Sequence, residues 1–364
     1  MPVLNLSSGL TATPGKNNTS YNVISTEGEK MSTVALDPQV SDALGALAGR
    51  TIDHVFFVAC GGSLSIMHPA KFMLDQASAS LPSDVLNAAE FIARAPRRLS
   101  ADSLVILCSM TGTTKETVAA TEFARRAGAT TVVLTTEAAS PLARAGDHVI
   151  GFEAPYTTGV PIDAKDSNYA RIYQLVLGLA QQVDGDDRLD ALLASLGNLQ
   201  AAIDRAHDSF APLFDAFAPR LAQKNVIYTM ASGANYGAAY SFAICVLMEM
   251  QWINSQAIHA NEFFHGPFEV LDKDSAFILF KGLDSTRELE ERAETFLKRF
   301  GSEDNIMVLD AATLDLTGID AEFRCNLVPL IFFDTLWRFA YKIADLRDQE
   351  MLEARRYMKK LHDY

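Results

Sequence analysis

Residues 55–59 form an unbroken apolar run, partly β-branched and aromatic, which Cys60-Gly61-Gly62-Ser63 interrupts before a helix-like stretch through Leu74. That pattern predicts a strand, a tight turn and a helix. Residues 104–108 repeat the plan as a short buried strand. The turn Ser109-Met110-Thr111-Gly112-Thr113-Thr114 follows, then a helix over residues 115–127 with Gly128 as its stop. Residues 131–134 supply a third strand. Strands alternating with helices at this spacing predict an α/β fold with a parallel sheet covered on both faces. Its ligand sites are expected at the carboxyl ends of the strands.

The pattern recurs about 171 residues later: residues 226–230 lead into Ala231-Ser232-Gly233-Ala234 and a helix containing Leu247-Met248-Glu249. Residues 275–280 stand where 103–108 stood, at an offset of 172, and 306–309 supply the later strand. The expected organisation is a polar lead (1–35), a first domain (36–190), connecting helices (191–220), a second domain (221–345) and a tail (346–364). Asp184-Gly185-Asp186-Asp187 marks the turn before the connecting helices, and a last helix is expected over 329–345.

Charge and composition narrow the ligands. Of 364 residues, 31 are Lys or Arg and 45 are Asp or Glu, and the resulting net charge of −14 repels a nucleic-acid backbone. No nucleic-acid partner is expected, and an anionic ligand has to be caught locally by N–H groups and hydroxyls. No run of about 18 apolar residues occurs, so no membrane partner is expected. Cys60, Cys108, Cys245 and Cys325 lie far apart with no CxxC, which fits a reducing, cytoplasmic setting and argues against zinc.

Ser109, Thr111, Thr113 and Thr114 crowd hydroxyls onto one strand-to-helix turn. Two readings stand: ordinary capping, with Thr113 and Glu116 as a capping box, or an anion cradle at a helix N-terminus. Capping accounts for one or two hydroxyls better than for four. At the equivalent turn of the second half Ser109 becomes Lys281, Thr111 becomes Leu283 and Gly112 becomes Asp284, while Thr113 and Thr114 keep hydroxyls as Ser285 and Thr286. Both halves need a started helix, so this divergence favours the cradle in the first half.

Glu249 is the only formally charged side chain between Lys224 and Glu262, set among Phe242, Val246, Leu247 and Trp252 with no local cation. Apolar surroundings predict a raised pKa and a proton-shuttling role, against the alternative of a partly exposed helix residue. Downstream, Gly266-Pro267 forces a turn that leaves His265 at its edge, either as a proton donor near neutral pH or as a structural turn histidine. His259, Glu262 and His265 lack the helical spacing of a metal site, and no metal or cofactor is expected.

Together, Cys60-Gly61-Gly62-Ser63, Ser109-Met110-Thr111-Gly112-Thr113-Thr114, Glu249 and Glu262-Phe263-Phe264-His265-Gly266-Pro267 resemble the sugar isomerase (SIS) family, over nearly everything from residue 40 onward. The resemblance implies two tandem SIS domains, each a parallel five-stranded sheet flanked by helices in a flavodoxin-like three-layer sandwich. The nearest likenesses are the fructoselysine-6-phosphate and glucoselysine-6-phosphate deglycases and the isomerase half of glucosamine-6-phosphate synthase.

By resemblance, Ser109, Thr111 and Thr114 hold the sugar phosphate, Ser63, Ser167 and Lys359 contact the sugar, and Glu249 and His265 carry the proton transfers. A homodimer or larger assembly is implied, with His265 reaching across from a second subunit. Val246 stands where the synthase has an isomerisation lysine, and the sequence from Met1 shows no glutaminase nucleophile. The expected activity is therefore hydrolytic release of an amine from a phosphorylated Amadori sugar. An amino-sugar-phosphate deaminase or isomerase and a sugar-phosphate-binding regulator are the alternatives. The polar lead is expected to have no room for the regulator's helix-turn-helix.

Overall fold

A computed structural model describes residues 33–154 and 163–361, so the predicted polar lead lies almost wholly outside the described residues. The first half contains β1 (His54–Ala59), β2 (Ser83–Asn87), β3 (Ser103–Cys108), β4 (Thr130–Thr135) and β5 (His148–Gly151), hydrogen-bonded in the order β2-β1-β3-β4-β5. All four pairings are parallel. Every residue of β1, β3 and β4 is buried, the signature of strands covered on both faces, and this is why they read as plain apolar runs.

The second half repeats the arrangement with β6 (Val226–Ala231), β7 (Asn254–His259), β8 (Ala276–Lys281) and β9 (Ile306–Asp310), in the order β7-β6-β8-β9. Gly61 and Gly233 occupy the same left-handed turn after β1 and β6, with φ of +53° and +50°, so the repeat length is 172 rather than 171. The expected fifth strand is not formed among the described residues. After β9 the side chains of Asp310, Asp315 and Asp320 each accept the backbone N–H two residues on, from Ala312, Thr317 and Glu322, at 2.9 Å. Successive turns of this kind take the chain out of extended conformation.

Three long helices tie the halves together: Asn168–Asp184, Leu199–Leu221 and Arg324–Arg347 contribute to one continuous apolar core. The Tyr173 hydroxyl, buried between them, donates to the Asn326 carbonyl at 2.7 Å. In both sheets the chain order reverses between two neighbouring strands, β1 and β3 in one, β6 and β8 in the other. The crevice outside the carboxyl ends at such a reversal is where α/β sheets bind ligands. The two turns flanking the first reversal are Cys60-Gly61-Gly62-Ser63 and the hydroxyl-rich turn after β3.

Candidate active site

The turn after β3 is held open by glycine. Gly112 has φ +64°, and a Cβ there would run into the Ser140 side chain, so no other residue fits without displacing it. The Met110 carbonyl accepts from the Thr136 N–H at 2.9 Å and from the Thr135 hydroxyl at 3.0 Å, which pins the turn to the end of β4. Ser109 and Thr114 hydroxyls pair with each other at 2.9 Å, and those of Thr111 and Thr113 at 2.7 Å.

The predicted Thr113–Glu116 capping box is not made. The helix Lys115–Arg126 starts one residue later, with Thr114 at its N-cap, and no side chain caps it. Capping thus explains none of these hydroxyls. The N–H groups of the first turn, which have no intrahelical partner, and the hydroxyls paired only among themselves form a cradle suited to an oxyanion.

Glu249 is presented by an irregular helix. The α-helix Tyr236–Ser241 widens into a π-helical stretch, Phe242–Met248, and the Glu249 N–H donates five residues back to the Ile244 carbonyl at 3.1 Å. Such widening is frequent at functional sites because it re-aims side chains. The expectation that no cation partners Glu249 holds only locally. Arg355, 106 residues on in the tail, donates through Nη1 to Oε1 at 2.6 Å, with 18% of each side chain exposed. Burial raises the Glu249 pKa above the usual carboxylate range, and the Arg355 guanidinium works against that rise.

The two halves meet beside this carboxylate. Cys245, on the widened helix one turn before Glu249, faces Gly62 so closely that a Cβ on Gly62 would sit 3.7 Å from its sulfur. Burial pushes the Cys245 thiol up to about 12, so it stays protonated. Next to Gly62, Ser63 neighbours the Cys108 thiol, which burial pushes up to about 12, and Cys108 directly precedes Ser109. Neighbouring residues therefore lead from the hydroxyl cradle through Ser63, Gly62 and Cys245 to the Glu249–Arg355 pair. The tail arginine was beyond a local reading, because its partner is supplied only by the fold.

Three predicted residues stand apart from this path. Ser167 is buried as the N-cap of Asn168–Asp184, its hydroxyl donating to the Ala164 carbonyl at 2.6 Å and accepting from the Ala170 N–H at 3.3 Å. Lys359 pairs with Glu353 at 2.6 Å within the tail. His265 is exposed at the end of the 3-10 turn Glu262–His265, before Gly266 with φ +135°. Phe263 anchors that turn in the core of the second half. Among the described residues no three metal-ligating side chains gather.

Residues 50–178 match the SIS domain model. The chain is 46% identical over 329 residues to fructosamine deglycase FrlB of Bacillus subtilis, covering 90% of this chain and 98% of that one. It is 28% identical over 320 residues to fructoselysine 6-phosphate deglycase of Escherichia coli, covering 88% and 90%. The fold superposes with a TM-score of 0.86 on a candidate phosphosugar isomerase from Bacillus subtilis, at 46% identity over 90% of this chain and 98% of that one. With near-complete coverage at that identity, and with the duplicated sheets and their hydroxyl turn in place, the chain belongs to the SIS domain family.

Proposed function

We propose that this chain is a deglycase that isomerises and hydrolyses a phosphorylated Amadori sugar amine to a hexose 6-phosphate and a free amine. The observation that carries this reading is the 46% identity to a fructosamine deglycase over almost all of both chains. The phosphate arm is supported by the uncapped hydroxyl turn at the sheet reversal and by the 28% identity to a fructoselysine 6-phosphate deglycase. The Ser109, Thr111 and Thr114 hydroxyls and the adjacent N–H groups hold the phosphate, and Ser63 meets the sugar.

Glu249 then removes a proton from C1, beside the C2 carbonyl, leaving an enaminol. Returned to C2, that proton leaves a Schiff base at C1, and water splits it to the aldehyde and the amine. The substrate nitrogen delocalises the developing charge, which is consistent with Val246 in place of a lysine. His265, on its exposed turn, exchanges protons with the sugar oxygens of a neighbouring subunit in a homodimer or larger assembly. Four free cysteines fit a cytoplasmic setting, and among the described residues no helix is long and apolar enough to cross a membrane.

A panel of phosphorylated Amadori compounds and glucosamine 6-phosphate, with products identified by mass spectrometry, tests the reading. Equimolar hexose 6-phosphate and free amine from the Amadori compounds are expected. Turnover of glucosamine 6-phosphate alone would replace the deglycase with a deaminase or isomerase.

The pH profile tests the tail. A general base works ionised, so kcat/KM falls as pH drops through its pKa, and for Glu249 burial sets that acidic limb above the ordinary carboxylate range. Arg355 pulls the limb down. Arg355→Gln is therefore expected to move it further up, with Arg355→Lys moving it less. A limb left in place by Arg355→Gln would mean that the tail charge does not reach Glu249.

A further inference from the structure

We propose that the second half retains an oxyanion site that the chain fills with its own carboxylates, Glu290 and Asp284, so that this cradle is closed to free phosphate. The site stands at the β6–β8 reversal, the counterpart of the β1–β3 reversal that carries the hydroxyl cradle. Donors from both flanking turns converge on it. Ser232 donates to Glu290 Oε1 through its N–H at 3.0 Å and its hydroxyl at 2.8 Å, and the Gly282 N–H donates to Oε2 at 2.6 Å. The Ala234 N–H donates to Asp284 at 3.1 Å, and Thr286 donates to it through N–H at 2.7 Å and hydroxyl at 2.6 Å.

Glu290 is wholly buried and Asp284 is 8% exposed, yet neither is neutralised by an ion pair. The nearby cations are committed elsewhere: Lys281 to Glu294 and Asp310, Arg287 to Asp310 and Glu291. The carboxylates are held by N–H dipoles, hydroxyls and the start of the helix Arg287–Phe300, which is how an oxyanion is held without cations. Burial pushes Glu290 up to about 7 despite these bonds.

A second observation marks the place as a ligand site. Asn235 is fully buried with both amide atoms unpartnered, and its Nδ2 lies where a Cβ on Gly282 would fall. A structural hydrogen-bond knot would use that donor; a cradle shaped for a larger anion leaves it over. At the 172-residue offset fixed by Gly61 and Gly233, Glu290 corresponds to Val118 and Asp284 to Gly112. The half with the free cradle thus has no carboxylate at either position. A tethered carboxylate acts at a high effective concentration, so free phosphate cannot compete with it.

The probe is inorganic phosphate, with the full chain. Wild-type crystals soaked in phosphate should show Glu290 still on Ser232 and Gly282, with no phosphate there; phosphate on those N–H groups overturns the proposal. Glu290→Ala combined with Asp284→Ala, which removes both carboxylates, should bind one more phosphate per chain than wild type by titration. Its Tm, lowered in phosphate-free buffer, should recover with phosphate by more than wild type gains. A folded double variant without the extra equivalent overturns it, as does a double variant that phosphate cannot rescue from misfolding. Loss of the first cradle's phosphate in these same crystals would instead undercut the functional reading above, leaving the second site's occupancy as a separate result.

Discussion

Glu249→Gln is expected to lower kcat by about 100- to 10,000-fold, the usual range for loss of a positioned general base. The change is close to isosteric. A Gln carbonyl can still accept from Arg355 Nη1, now 2.6 Å from Oε1, so the tail keeps its anchor while the group loses its ability to take a proton. Substrate binding should therefore persist, and KM should move much less than kcat. A further readout isolates the step: in D2O the wild type should wash deuterium into the sugar amine at C1, and the variant should not. A kcat within tenfold of wild type, or undiminished exchange at C1, would remove Glu249 from the chemistry.

What could be read from the sequence follows from where burial is complete. Strands β1, β3, β4 and β8, buried at every residue, announce themselves as apolar runs. Edge strands β2 and β7 are largely half-exposed and polar, Ser-Asp-Val-Leu-Asn and Asn-Ser-Gln-Ala-Ile-His, and carry no such signal. The last helix begins at Arg324 rather than at residue 329, because Pro329, an expected first-turn residue, is accommodated inside it. Glu249 stood out by its isolation in an apolar segment, and its raised pKa follows from that same burial. Its partner Arg355 could not be read, since pairing across 106 residues depends on how the tail packs. Nor could the π-helical widening, which has no periodic signature in seven residues.

The hydroxyl cradle supports the other large effect. Ser109→Ala and Thr114→Val are each expected to raise KM for the phosphorylated substrate about 10- to 100-fold, as loss of a hydrogen bond to a charged group worth about 1.5–3 kcal/mol predicts. Stability separates this outcome from the capping alternative. Thr114 is at the N-cap but its side chain makes no capping bond, so Thr114→Val forfeits no cap, a loss that costs about 1 kcal/mol where a cap works. The partner hydroxyl matters too: Ser109→Ala strands the half-exposed Thr114 hydroxyl, which water replaces, whereas Thr114→Val strands the buried Ser109 hydroxyl, so Thr114→Ser, which keeps the 2.9 Å bond, is the stability control. An unphosphorylated fructosamine supplies the control, because its handling should be poor and alike in wild type and variants. If Thr114→Val lowers Tm and Thr114→Ser does not, while KM for the phosphorylated substrate stays put in both, the turn's hydroxyls are structural and the phosphate is held elsewhere.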